Sequence, residues 1–184
     1  SIRQPSFPGK APQATPLSTF EGAQRLPLSL KRISTYSNEL ATVDFVYGLQ
    51  RLVNLESLSV TSLICLPETT LLRLPPNLRT LNIRLGSLGQ VEDSIARLPR
   101  GLVSFKCQCS GSVNWTISHA QQLPRSLYDL SLPEMRNSCD PDMLAALPPY
   151  LCDVTLGWGR LHDFNKYDPL KSLRCKALTE RTDP

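Results

Sequence analysis

The sequence has few of the features by which catalytic, membrane and nucleic-acid-binding proteins are usually identified. Two of its 184 residues are histidine, 7% are aromatic, and the net charge is only +4. No uncharged apolar run approaches the roughly 18 residues that a membrane span needs, and the basic residues are interrupted by acids instead of forming a phosphate track. These deficits predict a soluble chain that binds neither a membrane nor nucleic acid.

Motifs that carry chemistry are also missing. The sequence contains no Gly-rich phosphate loop, His-Glu metal motif or nucleophile elbow. Cys107 and Cys109 form a C-x-C, but no second close cysteine pair accompanies them, and Cys107 falls on an inward strand position that predicts core packing. His119 is expected to have a surface or packing role. We therefore expect no enzymatic activity, no cofactor and no bound metal.

The cysteines are spread along the chain and not crowded as in a disulfide framework. They are Cys65, Cys107, Cys109, Cys139, Cys152 and Cys175. This spread favours a reducing compartment, and we expect the protein to be cytoplasmic.

The dominant feature of the sequence is an internal repeat. Four segments share the form L-P-x-x-L-x-x-φ-x-φ, in which φ is apolar, and they begin at Leu74, Leu98, Leu123 and Leu147, at intervals of 24, 25 and 24 residues. Related segments lie upstream, one from Leu26 and one from Asn54 that lacks the proline, and a further one lies downstream from Pro169 after a shortened interval. Seven units in near-constant step indicate a repeat architecture.

Each unit combines a strand pattern with a helix pattern. Leu81 and Ile83 alternate with polar residues, as in a short strand that buries one face. The spacing predicts a short helix over Gln90–Arg97 and another that begins with Pro141 before Met143. The proline of each Leu-Pro ends the helix and directs an extended chain into the next strand. The expected class is α/β.

These units resemble leucine-rich repeats of a Leu-Pro-containing variety similar to fungal and protist repeats. The resemblance implies a solenoid with a parallel β-sheet on the concave face, short helices or loops on the convex face, and a binding role. It covers about residues 26 to 175, within an expected repeat domain of residues 18–176 that lies between a flexible Pro-rich segment (1–17) and a polar tail (177–184). Only Asn38 occupies the family's usual asparagine position after a strand, so we expect irregular loops there.

The solenoid places the outward strand residues in columns that cross neighbouring strands. The first column is Arg32, Ser57, Thr80, Ser104, Asp129, Asp153 and Ser172, the second is Ser34, Ser59, Asn82, Lys106, Ser131, Thr155 and Arg174, and the third is Tyr36, Thr61, Arg84, Gln108, Pro133, Gly157 and Lys176. The candidate partner-binding residues are Arg32, Ser57, Ser59, Thr80, Asn82, Arg84, Ser104, Lys106, Asp129, Ser131, Asp153, Thr155 and Trp158. This surface is rich in hydroxyl groups, which suit either hydrogen bonding to a partner or merely an exposed strand.

Two features of the columns have more than one interpretation. Asp129 and Asp153 lie on adjacent strands, where they attract a cation or a partner's basic side chain, support hydrolysis, or are neutralised by Lys106 and solvent. Trp158 and Tyr36 are candidate aromatic anchors for a partner. Trp158 also fits a packing role under a neighbouring loop.

The leading hypothesis is a monomeric interaction scaffold that recognises another protein on its concave strand face, such as the substrate-binding part of a larger adaptor. The alternative is an extracellular adhesion or receptor ectodomain. In that case the cysteines are paired in disulfides and the sequon at Asn114 carries a glycan.

Overall fold

Six parallel β-strands form one sheet whose strand order follows the chain. The structure is a computed structural model, and it describes residues 19–36, 42–61, 63, 65–91, 93–111, 115–132 and 141–156. The strands are β1 (Arg32–Thr35), β2 (Ser57–Val60), β3 (Thr80–Leu85), β4 (Ser104–Cys109), β5 (Asp129–Leu132) and β6 (Asp153–Leu156). The predicted segment 1–17 and tail 177–184 lie outside the described residues.

Each strand alternates between a buried and a solvent-facing side chain, as the repeat predicts. Leu58, Leu81, Phe105 and Leu130 lie side by side in the sheet and are fully buried. Burying an apolar side chain of this size contributes about 1.5–3 kcal/mol, so the register that aligns these four residues is strongly favoured over a one-residue slip.

The units enter the sheet through one recurring turn. Leu102 N donates to Pro99 O at 3.0 Å, and Arg79 O then accepts from both Val103 N (2.8 Å) and Ser104 N (3.0 Å). The same shared carbonyl recurs at Lys31, Glu56, Val103 and Tyr128. Because the contact is repeated between successive units, it holds neighbouring strands in step.

One short helix precedes the first strand and others connect later strands, which confirms the predicted α/β class. They are α1 (Phe20–Gln24), α2 (Val43–Gly48), α3 (Ile117–Gln122) and α4 (Pro141–Ala145), with 3₁₀ segments at Leu49–Arg51 and Glu68–Arg73. Thr19, Thr42 and Thr116 cap the first three helices by accepting a backbone amide hydrogen bond. Within the described ranges, no helix is both long and apolar enough to cross a membrane.

The connecting segments cover the inner face of the sheet. Phe45, Val46 and Leu49 belong to the same buried cluster as the inward residues of the strands, and Ala120 of α3 and Met143 of α4 join it further along. Helix α1 contacts α2, and α3 contacts α4. One core therefore runs between the strands and their connections, and none of the described connections covers the other face of the sheet.

The predicted helix over Gln90–Arg97 is wrong. Residues 93–97 form turns, and Asp93 has a left-handed φ of 61°, which interrupts helical geometry. Ile95 is nevertheless fully buried. The apolar spacing thus reports correctly which side chain enters the core, although the backbone reaches that position by turns.

A buried carboxylate organises this turn segment. Glu68 is only 2% exposed; it accepts hydrogen bonds from Gly89 N (2.9 Å), Gln90 N (2.8 Å) and Val91 N (3.3 Å), and also from the Ser94 hydroxyl. A buried carboxylate requires such partners, because an unpaired one costs several kcal/mol. Four donors from one segment therefore fix the connection between β3 and β4 to the preceding unit.

Candidate binding surface

The open face of the sheet carries the predicted columns in the predicted register. Arg32, Ser57, Thr80, Ser104, Asp129 and Asp153 are successive partners across the sheet, and so are Ser34, Ser59, Asn82, Lys106, Ser131 and Thr155. Arg84 and Gln108 pair in the third column. These fourteen residues are called the polar strand face below. Their placement confirms the register prediction, whereas their role in binding a partner stays a prediction.

Asp129 is the most constrained charge on the polar strand face. It accepts a hydrogen bond from Ser104 Oγ at 2.9 Å and forms an ion pair with Lys106 Nζ at 3.0 Å, both through Oδ2. Asp153 is its neighbour on β6. The interpretation in which Lys106 neutralises Asp129 is therefore confirmed, and the described residues contain no group of three or more metal-ligating side chains.

Charge changes sign across the polar strand face. Arg32 lies on β1, Arg84 on β3 and Lys106 on β4, whereas Asp129 and Asp153 occupy the last two strands. Because Lys106 and Asp129 pair with each other, the net positive charge of the face lies towards β1 and β3 and the net negative charge towards β6.

Sequence reasoning missed a further column at the edge where the strands begin. Lys31, Glu56 and Arg79 precede β1, β2 and β3 and alternate in charge, and Lys31 Nζ lies 3.1 Å from Glu56 Oε1. These residues line a shallow cavity of about 380 Å³, together with Asn54 and Asn77. The signal was a charged residue at the same place in three successive units.

Asparagines at this edge link neighbouring units. Asn54 Nδ2 donates to Leu28 O at 3.0 Å, and Asn77 Nδ2 donates to Val53 O at 2.7 Å. The usual asparagine position of the repeat family follows the strands, whereas these two asparagines precede them. Each side chain satisfies a carbonyl of the preceding unit, where a strand has not yet begun.

The structure describes one of the two candidate aromatic anchors, Tyr36, but not the other, Trp158. Tyr36, which directly follows β1, is 80% exposed. Trp158 lies outside the described residues, as do Asn114, Cys139 and Cys175.

A comparison with protein-family models and a comparison with curated proteins each returned no match for this chain. The polar strand face is therefore identified as a candidate binding surface from the geometry of the sheet.

The described cysteines are Cys65, Cys107, Cys109 and Cys152, and all four are free thiols. Cys107 is 1% exposed, which confirms its predicted core position. Its Sγ lies 3.5 Å from Cys109 Sγ. Hydrogen bonding to Cys109, followed by burial, raises the pKa of the Cys107 thiol well above its ordinary value, whereas the hydrogen bond from Cys107 lowers the pKa of Cys109.

His119 has the packing role that we expected. Its Nδ1 accepts a hydrogen bond from Thr116 N at 3.2 Å in a capping box at the start of α3, and its ring centroid lies 5.6 Å from that of Trp115. Burial lowers the pKa of this imidazole. The side chain therefore stabilises the beginning of a helix.

Proposed function

We propose that the chain is a leucine-rich-repeat solenoid that binds another protein on its polar strand face. The observation that carries this proposal is the order of the sheet: six parallel strands follow the chain and meet residue for residue at the spacing of the sequence repeat. Strand, connection and Leu-Pro turn then constitute one coil. The proposal gives the face a binding role and assigns it no reaction.

Side-chain exposure supports binding at this face. Each residue of the polar strand face is partly or fully exposed, whereas their strand neighbours Leu58, Leu81, Phe105 and Leu130 are fully buried. Regular strand hydrogen bonds fix the backbone beneath the polar groups, so a partner meets donors and acceptors that lose little freedom on binding. Tyr36 adds an exposed aromatic group at one end.

The size of the face indicates how the partner must bind. Six strands about 4.8 Å apart span about 24 Å, and four residues of strand span about 13 Å, which gives an area of about 310 Å². A standard interface buries about 800 Å² on each partner. A partner that buries a standard area must therefore also contact surface beyond the six described strands, and the strand-beginning edge, where Lys31, Glu56 and Arg79 line the shallow cavity, adjoins them.

Site-specific photo-crosslinking tests the proposal with a matched pair of glutamines. Gln108 lies on the polar strand face and Gln121 on α3, and both are exposed. A photoreactive amino acid at position 108 should crosslink to a partner in an extract of the source cells, and the same amino acid at position 121 should not. Equal crosslinking at both positions to the same protein would contradict binding through this face.

Affinity measurements with the identified, purified partner then complete the test. Ser59→Arg should weaken binding by at least about 10-fold, because a bulky charge on β2 would project from the polar strand face towards the partner, and 10-fold corresponds to about 1.4 kcal/mol. Ser118→Arg, at an exposed position of α3, should leave the Kd within about 2-fold. A larger loss for Ser118→Arg would place the interface on the helices.

A further inference from the structure

Two thiols lie together at the end of β4. Cys107 and Cys109 are separated by one residue of strand, so both side chains point towards the inner side of the sheet. Their sulfurs are 3.5 Å apart. Cys107 is buried, whereas Cys109, the last residue of the strand, is partly exposed. A reagent from solvent therefore reaches the Cys109 thiol first, and the Cys107 thiol lies next to it.

Among the described residues, the end of β4 is paired on one side only. The described pairing of β4 with β5 ends at Lys106 and Ser131, so Cys109 pairs only with Leu85 of β3. Ser110 and Gly111, which follow, are exposed. Bending the backbone at Cys109 therefore breaks its pairing with β3, including the 3.2 Å hydrogen bond from Ser110 N to Leu85 O, but no described pairing with β5.

We propose that Cys109 is a hydroperoxide-reactive thiol and that Cys107 is its resolving thiol. In the first step, the Cys109 thiolate attacks the terminal peroxide oxygen, the O–O bond breaks, and Cys109 becomes a sulfenic acid while the peroxide leaves as hydroxide or alkoxide. In the second step, Cys107 sulfur attacks Cys109 sulfur, the S–O bond breaks, and the Cys107 proton leaves with the hydroxyl group as water. The two thiols are oxidised by two electrons and the peroxide is reduced by two.

The two steps make different demands on the geometry. Hydrogen bonding with Cys107 lowers the pKa of Cys109 and so favours its thiolate, which is the nucleophilic form. Two side chains on the same face of an extended strand have Cβ atoms about 6.6 Å apart, whereas a disulfide needs Cβ atoms about 3.5–4.5 Å apart. The second step therefore requires the backbone at Cys109 to leave its extended geometry, and we expect a mild thiol reductant to reverse the resulting strained disulfide.

Peptide mass spectrometry of the full chain tests the proposal. The reduced protein is treated with substoichiometric hydrogen peroxide, remaining thiols are alkylated, and the protein is digested with trypsin. The peptide 107–125 contains both cysteines and should lose two hydrogen atoms, at a rate at least about 10-fold that of oxidation at Cys152. Cys152 is the reference because it is also partly exposed. Equal rates, or disulfides to other cysteines, would overturn the proposal.

Two variants separate the roles of the thiols. Cys107→Val should fold, because Val60 and Ile83 occupy the same inward position in β2 and β3, and its Cys109 should accumulate as a sulfenic acid that dimedone traps. In Cys109→Ser, Cys107 should react no faster than Cys152. Dimedone labelling that is absent from Cys107→Val, or fast oxidation of Cys107 in Cys109→Ser, would show that the assignment is wrong. Circular dichroism checks that each variant is folded.

Discussion

The strands and the segments that connect them are built from the same repeat, yet they differ in regularity. Across the sheet, each strand meets the next residue for residue. The connections vary: one contains α2 and a 3₁₀ turn, the next a longer 3₁₀ segment, the next a run of turns at residues 93–97, and the last two contain α3 and α4. Strand pairing thus imposes one geometry on every unit, whereas a connection need only deliver apolar side chains to the core.

This difference shows where the structure depends on single residues. On the strand side, the same backbone contact recurs at five carbonyls, from Lys31 to Tyr128, so no one of them is decisive. On the connecting side, the turn segment between β3 and β4 is held by one carboxylate with four donors. We therefore expect the connections to show the largest effects of single polar substitutions.

The largest loss of stability is expected for Glu68→Ala. The substitution leaves the amides of Gly89, Gln90 and Val91 and the hydroxyl of Ser94 without their acceptor, and each unsatisfied buried group costs about 1–3 kcal/mol. Because water can replace part of these contacts, we expect the free energy of unfolding to fall by about 4 kcal/mol. Urea unfolding followed by circular dichroism measures the change.

Glu21→Ala is the control for this substitution. Glu21 is exposed in the first turn of α1, where a carboxylate interacts only with the helix dipole, so its loss should cost less than about 1 kcal/mol. If Glu68→Ala were no more destabilising than Glu21→Ala, the connection between β3 and β4 would be as redundant as the sheet.

Local sequence patterns predicted the strand side well because its determinants are local. The alternation at Leu81 and Ile83 and the near-constant repeat are sufficient to give the strands, their order and the register of the polar columns. The pairing of Asp129 with Lys106 followed from that register, and the structure confirms it.

The connecting side was less predictable, because its determinants are distant in sequence. Glu68 finds its donors 21 to 26 residues later, and nothing in its own neighbourhood marks it as buried. The helix expected over Gln90–Arg97 is wrong because Asp93 has a left-handed backbone conformation, which the apolar spacing of the segment does not reveal. Periodicity identified the buried Ile95 but could not identify the backbone that carries it.

A smaller loss of stability is expected at the edge where the strands begin, which is where the connections join the sheet. Asn77→Ala removes the 2.7 Å hydrogen bond to Val53 O and should lower the free energy of unfolding by about 1 kcal/mol. Asn82→Ala is the matched control, because Asn82 is on the open face of β3 and should change stability by no more than about 0.5 kcal/mol. Equal losses would mean that Asn77 does not link the units.

The smallest effect is expected for the ion pair on the polar strand face. A double-mutant cycle with Lys106→Met and Asp129→Asn should give a coupling energy of about 0.5–1 kcal/mol that decreases with added salt, because exposed pairs are weak and screened. The side chain of Asp129 is only 25% exposed and is also fixed by Ser104, which places this pair at the stronger end of that range.

The ion pair between Lys31 and Glu56 is the control for this cycle. Its side chains are 68% and 45% exposed, so a cycle with Lys31→Met and Glu56→Gln should give a coupling below about 0.5 kcal/mol. A stronger coupling between Lys31 and Glu56 than between Lys106 and Asp129 would mean that side-chain exposure does not determine which of the two ion pairs is stronger. The strand-beginning edge would then contribute more to stability than the centre of the sheet, and partner contacts at Lys31 and Glu56 would have to break a pair that stabilises the fold.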